Sequence, residues 1–542
     1  MLQWSALCGL LLLGAFLRLY QLEYKSLWVD EILQVNVARG GIAGILANAN
    51  HHVLGAPPLD FMVTAVTRLI GENEFILRFP PVAWGVLTIA LSFALARRLS
   101  GSRLVSAGAA VLVAGAPLIV RFAQEVRFYS LPIALLVLMV YTFIRAWQKP
   151  TPLRWALFSL ATLTAYFAHY YVIFAVVALG LVAVIGSLPF FHDRPRELRR
   201  AWLGFIAAAL VPSLLLLVWF KSQGFTGQAI HQFMPPSLAE LLLSPVVDPA
   251  VAMPEERIFL IAVGGFIFPL LALWSIVASV RARRVWGILL ALVVLMGVVG
   301  VLVADWRASY FYTSRQLLFF VPFYLILVAD GLVNVMRLVL RRETWARAGT
   351  ALALGIIFLF FSFSLRGGYD LPKQDWRGAA EFVAQNFALA PELVLSSPSG
   401  LKQYLFFYNP SLEQHFVAEE DLATLDPSTR VWFVTLGAKT PSSPKELTAA
   451  DGWHAVNLAV SSVLTLAYVG KATPPQLRRE LAHLNLSPRA LLYSNFLLQL
   501  DKTDAPLAHQ VAARALAAMK TARPPLLIGQ QKRLLRKIRA LK

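Results

Sequence analysis

An apolar helix followed closely by two acids opens the chain: LQWSALCGLLLLGAFLRL (Leu2–Leu19), then YKSLWVDEILQ (Tyr24–Gln34). The first segment is close to the roughly 20 apolar residues that a helix needs to cross a hydrocarbon core. It lacks the basic start and small-residue cleavage site of a secretory signal, so it predicts a retained membrane helix. The second segment places Asp30 and Glu31 just beyond that helix, where acids are rare and need an explanation.

The composition of the whole chain is that of a membrane protein. Of its 542 residues, 58% are hydrophobic and only 15% are charged, and the mean hydropathy is +0.63. About a quarter of the residues of an ordinary soluble protein are charged. The formal charge of +19 does not indicate nucleic-acid binding, because Lys and Arg collect in the cytoplasmic loops of membrane proteins. The single cysteine, Cys8, can form no internal disulfide.

Apolar runs recur along the chain and predict eleven membrane-spanning helices. The loops between them alternate in charge, one set being rich in arginine, such as HDRPRELRR from His192, and the other carrying acids. By the positive-inside rule the arginine-rich loops and the N-terminus are cytoplasmic, and everything after Phe363 lies outside the inner membrane. The predicted spans are Leu2–Leu19, Val82–Ala96, Leu104–Val120, Leu131–Ile144, Trp155–Phe167, Val172–Phe190, Trp202–Phe220, Ile258–Val280, Val285–Val303, Leu317–Val335 and Ala348–Phe363.

One further apolar segment, PPLDFMVTAVTRLI (Pro57–Ile70), does not fit a span. It is short, carries Asp60 and Arg68, and would reverse the charge alternation of every later loop. We predict an interfacial amphipathic helix that begins at its prolines. The first outer loop then extends from about Tyr20 to Pro80, and a loop of that length with its own helices is usually functional.

The spacing alone leaves two interpretations of Asp30 and Glu31. Trp28 can anchor at the headgroups of an ordinary juxtamembrane turn while the acids face water. Alternatively, the acids belong to a site with the other polar groups expected at the same face of the membrane. Those groups are His51, His52, QEVRFY (Gln124–Tyr129), HYY (His169–Tyr171) and TSRQ (Thr313–Gln316).

Within these groups the charged side chains have competing explanations. Glu125 and Arg127 either form a helix-end salt bridge or bind a charged ligand, because an ionisable residue at that depth is expensive otherwise. His169, taken alone, favours a buried structural histidine. His51, His52 and Asp60 offer ligands for a divalent metal, which is therefore possible, but adjacent histidines do not easily face one ion and no HExxH-like spacing is present.

An ordered set of motifs resembles a known family. SLWVDE is followed by PPL, by GENEFILRFPPVAWGVLTIALSFALARRLSG from Gly71, by APLIVRFAQEVRFYSL from Ala116, by SRQLLFFVPFYLILVADGL from Ser314 and by KQDWRGAAEFV from Lys373. This order resembles the GT-C-fold membrane glycosyltransferases related to protein O-mannosyltransferases and to the lipid A aminoarabinose transferase. The resemblance covers the membrane half and the start of the outer domain.

The resemblance implies roles for particular residues. A carboxylate at the position of Asp30 and Glu31 accepts the proton of the acceptor hydroxyl, and Arg127 and Arg315, with Tyr129 as a further donor, hold the phosphate of a polyprenyl-phosphate sugar. Such chemistry needs a positioned base and fixed cations for the leaving phosphate. Asp60 departs from the family, which usually has an aromatic after PPL. The other site candidates are Glu125, His51, His52, Asp60 and His169.

The C-terminal part of the chain, residues 366–542, has a different composition from the membrane domain, residues 1–365. LRGGYDLPKQDWRGAAEFVAQNF predicts a linker into a helix, and ELVLSS, RVWFVTLG and LTLAYVG predict short strands. From Pro474 the pattern is helical and ends in a basic amphipathic tail, QQKRLLRKIRALK. We predict a small extracytoplasmic α/β domain without catalytic residues.

Two function classes follow. The first is an inverting glycosyltransferase that moves a sugar from a polyprenyl-phosphate donor to a hydroxyl of a lipid, glycan or protein acceptor; nucleic acid is not a predicted partner. The second is a transporter or lipid translocase, which would also carry ionisable residues in its membrane helices. A transporter would place them near the midplane, in broken and repeated helices, whereas here they cluster at one rim. The pattern favours the enzyme.

Overall fold

The structure is a computed structural model that describes fifteen stretches of the chain. These are residues 2–51, 57–188, 195–222, 263–308, 314–370, 374–386, 390, 392–395, 402–417, 425–426, 428–436, 453–459, 464–481, 505–521 and 528–541. The chain forms two compact units. The first unit comprises Met1–Leu22 and Gln34–Tyr369, and the second comprises Glu23–Leu33 and Asp370–Lys542.

The first unit is built from α-helices. A π-helical turn, Val263–Ile267, precedes α12, and a 3₁₀ turn, Ser314–Phe320, precedes α14. The helices are α1 (Leu2–Leu19), α2 (Val29–Arg39, whose first residues belong to the second unit), α3 (Gly41–His51), α4 (Leu59–Thr67), α5 (Glu74–Ser100), α6 (Arg103–Gly115), α7 (Pro117–Phe122), α8 (Ser130–Gln148), α9 (Pro152–Ala168), α10 (Val172–Gly186), α11 (Pro195–Ser222), α12 (Phe268–Arg281), α13 (Trp286–Ala308), α14 (Val321–Leu340) and α15 (Glu343–Asp370).

The protein is a multi-pass membrane protein. The predicted spans are helical where the structure describes them, except that Leu104–Val120 is divided at Ala116 into α6 and α7. Not every such helix has the length of a full crossing. In the described part of the chain, three shorter apolar helices are Leu7–Leu19, Arg103–Gly115 and Val172–Gly186. Seven segments are long and apolar enough to span: Glu74–Ser100, Ser130–Gln148, Leu198–Lys221, Gly264–Arg281, Trp286–Val303, Arg315–Leu340 and Glu343–Arg366. The total of eleven crossings and their orientation stay predictions.

The helices differ in how much of their surface is buried in the protein. In Arg315–Leu340, 78% of the most apolar window is buried, so this helix forms the centre of the first unit. In Leu198–Lys221 the value is only 22%, and leucines such as Leu210 and Leu217 are exposed. An apolar helix that is exposed along most of its length is expected at a lipid-facing position.

Pro57–Ile70 contains only a short helix, as predicted. Helix α4 has 9 residues, which span roughly 14 Å and cannot cross a hydrocarbon core. The prediction that the first outer loop continues to Pro80 is wrong. Helix α5 already begins at Glu74, where the Asn73 side chain accepts a hydrogen bond from the Ile76 N–H, and it continues through Pro80 and Pro81. Both prolines lie beyond the first turn, so each removes one backbone hydrogen bond from the helix.

The second unit contains a five-stranded mixed sheet with strand order β2-β1-β3-β5-β4. Strand β1 is parallel to β2 and β3, whereas β5 is antiparallel to β3 and β4. The strands are β1 (Glu392–Leu395), β2 (Phe416–Val417), β3 (Arg430–Leu436), β4 (His454–Ala459) and β5 (Leu464–Gly470). The helices are α16 (Trp376–Gln385), α17 (Lys402–Tyr408), α18 (Pro474–Glu480), α19 (Ala505–Thr521) and α20 (Ile528–Arg539), with a 3₁₀ turn at Pro410–His415.

The three strands expected from the sequence are present, and the linker is shorter than expected. Residues predicted to begin the linker, LRGGYD, still belong to α15, which ends at Asp370. Strand β4 was missed because HAVNLA mixes polar and apolar residues and lacks a clear strand pattern. The core on one face of the sheet consists of Val431, Phe433, Trp453, Ala467 and Val469.

Candidate active site

The first turn of α2 holds Asp30 and Glu31 in different environments. Glu31 is completely buried, and its Oε2 accepts a hydrogen bond from the Trp28 N–H (3.2 Å). This contact satisfies an N–H at the start of the helix, where a carboxylate is also favoured by the helix dipole. Asp30 is half-buried. An ordinary turn whose two acids both face water does not fit this segment, because one of the acids is enclosed.

Side chains of the second unit fix the segment that leads into α2. The Leu27 N–H donates to the Tyr408 hydroxyl (2.6 Å), and the Val29 N–H donates to Gln374 Oε1 (3.1 Å). Arg377 Nη2 donates to the Tyr24 carbonyl oxygen (2.9 Å). The Ser26 hydroxyl also donates to the Gln374 carbonyl oxygen at 2.8 Å. Three backbone groups and one side chain of the segment therefore have partners, which gives the segment a defined path.

Tyr404 connects Asp30 electrostatically to helix α17. Burial and, after it, the charge of Asp30 raise the pKa of the Tyr404 hydroxyl. The tyrosine ring packs 5.2 Å from the ring of Trp376. The Tyr404 phenol, which stays neutral at neutral pH, is therefore one of the neighbours of Asp30 within the second unit.

In the first unit, the QEVRFY hexad forms a compact loop between α7 and α8. The Arg127 N–H donates to the Glu125 carbonyl oxygen (2.8 Å), and the Tyr129 N–H donates to the Arg127 carbonyl oxygen (2.7 Å). These two short-range hydrogen bonds make consecutive tight turns. The side chains of Glu125, Arg127 and Tyr129 are all at most 5% exposed.

The Arg127 guanidinium packs against the ring of Phe128. It lies 4.4 Å from the centroid of the Phe128 ring, which is a favourable cation–π distance. Tyr129 packs against Phe122 at 4.7 Å and against Phe128 at 5.3 Å. A guanidinium held on a rigid ring loses little conformational entropy when it binds an anion, and its planar fork matches a phosphate group.

Asp60 lies near Arg127 in the same unit. The Asp60 carboxylate, in the first turn of α4, accepts a hydrogen bond from Gln34 Nε2 (2.5 Å), which also donates to the Thr64 hydroxyl (3.0 Å). Burial raises the pKa of Asp60 to about 6, against the lowering effects of Gln34 and of the Arg127 charge. The sequence thus identified two residues whose charges interact in the fold, and it missed Gln34, an uncharged residue that links Asp60 to α2.

His169 packs as an aromatic residue next to the hexad. Its ring lies 4.2 Å from Phe319, 4.8 Å from Tyr171 and 5.7 Å from Phe128. Burial lowers its pKa to about 3, and its Nδ1 accepts a hydrogen bond from the Tyr171 N–H (3.2 Å). A neutral histidine with these neighbours supports the packing of Phe128 and is suited neither to binding a phosphate by charge nor to acting as a base at neutral pH.

The remaining site candidates are only partly described. Arg315 is half-buried in the turn Ser314–Phe320, which packs against α7 and α8, the two helices that flank the hexad. The side chain of His51, which ends α3, and the whole of His52 lie outside the described residues. Within the described stretches, no three His, Cys, Asp or Glu side chains come together as a metal site. A metal that uses His51 and His52 stays a prediction from sequence.

A buried guanidinium beside apolar helices is a candidate group for binding an anion. Residues 55–219 match the family of dolichyl-phosphate-mannose-protein mannosyltransferases. The matched region contains Asp60, the hexad and His169.

The fold is similar to that of GT-C membrane glycosyltransferases. The chain is similar to ArnT from Cupriavidus metallidurans in the apo state, with a TM-score of 0.53 and 15% identity over 86% of this chain and 97% of that chain. Against ArnT bound to undecaprenyl phosphate, the TM-score is 0.51, again with 15% identity, over 86% of this chain and 98% of that chain. A comparison with curated proteins gives no match. The resemblance predicted from the ordered motifs is confirmed.

Proposed function

We propose that the protein transfers a sugar from a polyprenyl-phosphate-linked donor to an acceptor hydroxyl at the extracytoplasmic face of the membrane. The observation that carries the proposal is the buried Arg127, held on Phe128 inside the region that matches the mannosyltransferase family. The similar fold of ArnT, which has been seen with undecaprenyl phosphate, supports a lipid phosphate as the leaving group.

Arg127 has the properties that a leaving phosphate requires. As the bond between the sugar and the phosphate breaks, negative charge develops on the phosphate oxygens and needs donors that are already in place. Arg127 can offer a bidentate pair of N–H groups. Arg315, in the turn that packs against α7 and α8, supplies a second positive charge, and the Tyr129 hydroxyl a further donor.

Asp30 is the proposed base, and Glu31 has a structural role. A base must reach the acceptor proton, and Asp30 is the more accessible of the two acids. Glu31 is enclosed and accepts the Trp28 N–H. In the proposed step, Asp30 accepts the hydroxyl proton, the acceptor oxygen forms a bond to the anomeric carbon, and the bond from that carbon to the phosphate oxygen breaks. A single displacement of this kind inverts the anomeric configuration.

The transporter alternative rests on acids within the membrane, and one such acid is present. Asp330 in α14 accepts hydrogen bonds from the Ser275 hydroxyl (2.7 Å) and from Asn334 Nδ2 (3.0 Å). Ser275 lies on α12, so the carboxylate joins two packed helices. This local arrangement explains Asp330 without transport, and we do not propose a transporter.

The proposal is tested with purified protein, synthetic undecaprenyl-phosphate-linked sugars and the lipid and glycan fractions of a bacterial envelope. We expect acceptor-dependent release of undecaprenyl phosphate, detected by mass spectrometry, and its loss in Arg127→Ala. Arg68→Ala is a matched control, because Arg68 is expected at the same face of the membrane but is paired with Glu72 at 2.9 Å. Movement of the intact donor lipid between leaflets, without cleavage, would contradict the enzyme and indicate a translocase.

A further inference from the structure

Arg18 is a completely buried arginine in the last turn of α1. A guanidinium inside an apolar helix bundle is costly unless its N–H groups find acceptors. Its Nη1 donates to the carbonyl oxygens of Gly14 (3.0 Å) and Ala114 (3.1 Å), and its Nη2 donates to that of Val113 (3.2 Å). Two of these three acceptors belong to the end of α6, a helix 95 residues away in sequence.

The Val113 and Ala114 carbonyls that Arg18 contacts lie at the break between α6 and α7. In a continuous helix the Val113 oxygen would accept from the N–H of residue 117, but that residue is Pro117 and has no N–H. Ala116 has φ −54° and ψ 113°, which turns the chain out of the helix. The Arg18 fork therefore replaces the backbone donors that the break removes.

The surroundings of Arg18 leave space for this arrangement. A Cβ atom built on Gly85 of α5 would lie 2.7 Å from Arg18 Nε and 3.0 Å from its Cδ. The absence of a side chain at position 85 thus lets the guanidinium pass between α1 and α6. A larger residue at position 85 would displace the arginine.

The same turn of α1 holds the far side of the break. Gln124, the first residue of the hexad, donates from Nε2 to the carbonyl oxygens of Arg18 (2.9 Å) and Tyr20 (2.8 Å). Helix α7 is only 6 residues long. Arg18 thus holds the chain just before α7, and Gln124 ties the chain just after it to the end of the same helix, so that both ends of α7 are attached to α1.

We propose that Arg18 is a positioning residue for the donor site: together with Gln124 it fixes the QEVRFY loop so that the Arg127 guanidinium meets the donor phosphate. This inference rests on the proposed function. Arg18 itself does not touch the substrate. Its effect is transmitted through the α6–α7 break and through the loop, and a shift of about 1 Å in a binding group can change a rate up to about a hundredfold.

The test compares Arg18→Met and Arg18→Lys with the wild type. Methionine fills the space without donors, and lysine keeps the charge but offers one nitrogen in place of a fork. We expect Arg18→Met to weaken binding of undecaprenyl phosphate and to raise the KM for the donor, each by about tenfold or more, and Arg18→Lys to recover part of the loss. If Arg18 were purely structural, Arg18→Met would lower the yield or the Tm but leave the Kd of the folded protein for undecaprenyl phosphate unchanged.

Arg154→Met is the matched control. Arg154 also donates to carbonyl oxygens at a break between helices, those of Arg145 (3.3 Å) and Lys149 (3.0 Å), but the break is the α8–α9 turn. The Kd of Arg154→Met for undecaprenyl phosphate should equal that of the wild type. If Arg18→Met cannot be purified, Gln124→Ala tests the other attachment and should also weaken binding severalfold.

The outcomes separate the two proposals. A wild-type protein that does not bind undecaprenyl phosphate contradicts the proposed function. A wild-type protein that binds it, with Arg18→Met or Gln124→Ala binding equally well, overturns the positioning role and leaves the function in place.

Discussion

Two short polar segments of this protein follow a membrane helix, and each is fixed by a different unit. The hexad Gln124–Tyr129 is held by side chains of the first unit, including the amide of Gln124 on the end of α1. The segment that leads to Asp30 is held by Gln374, Arg377 and Tyr408 of the second unit. If the proposed function is correct, binding of the donor phosphate depends on the first unit, whereas the placement of the base depends on the second unit.

The largest effect is expected for Asp30. Asp30→Asn keeps the shape of the side chain but cannot accept the acceptor proton, so turnover should fall by about a hundredfold or more. Glu31→Gln should reduce turnover less, because its amide oxygen can still accept the Trp28 N–H. Steady-state transfer by the purified variants measures both effects, and near-normal transfer by Asp30→Asn would exclude it as the base.

The next largest effect is expected for Arg127. Arg127→Ala should lower kcat/KM for the donor by about a hundredfold, because it removes a fixed donor to the leaving phosphate. Arg127→Lys should retain part of the activity, since it keeps the charge and loses the fork. If donor kinetics are unchanged in Arg127→Ala, the arginine is only a structural partner of its loop.

A smaller effect sharpens the contrast between the two segments. Tyr408→Phe removes the hydroxyl that accepts the Leu27 N–H at 2.6 Å. The variant should lower turnover severalfold through the placement of Asp30 and leave the donor Kd unchanged, because no part of the hexad is altered. A rise in the donor Kd without a change in kcat would contradict the assignment of donor binding to the first unit and of base placement to the second.

The Asp60 pKa of about 6 gives a prediction for stability. The folded pKa exceeds the usual value of 3.8, so the folded state binds more protons than the unfolded state between about pH 4 and pH 6. Stability conferred by this group is therefore present below about pH 4 and is lost as the pH rises through 6, by up to about 3 kcal/mol. Asp60→Asn has no carboxyl to titrate and avoids this loss. The Tm of Asp60→Asn minus the Tm of the wild type should therefore increase between pH 4 and pH 7.

If the difference in Tm between Asp60→Asn and the wild type is the same at pH 4 and pH 7, the buried carboxyl does not titrate in this range. Because other carboxyls titrate as well, only the difference between the two proteins is informative. Glu72, for example, has its pKa lowered by Arg39 and Arg68 in both.

Local patterns in the sequence were sufficient for most membrane helices, the short helix α4 and three strands, but not for the break between α6 and α7. Each of these elements is decided by hydrophobic periodicity and by nearby prolines or caps. The boundary errors at Glu74 and Asp370 arose because helices continue past the apolar part that predicts them. Polar turns at a helix end carry no hydrophobic signal.

The supports of the candidate site were not predictable in the same way. Arg18 was overlooked because it stands inside the first apolar run, although an arginine at that place is itself a signal. The partners that fix the segment before α2 lie 345 and 381 residues away in sequence, at Gln374 and Tyr408. Uncharged amides such as Gln34 and Gln124 offer no sign of function until the fold shows what they contact.

The most direct test of the account measures one quantity, the Kd for undecaprenyl phosphate, in Arg127→Ala and Asp30→Asn side by side. The account predicts that binding is about a hundredfold weaker in Arg127→Ala and equal to the wild type in Asp30→Asn. Wild-type affinity in Arg127→Ala, or a loss in Asp30→Asn as large as that in Arg127→Ala, would contradict it.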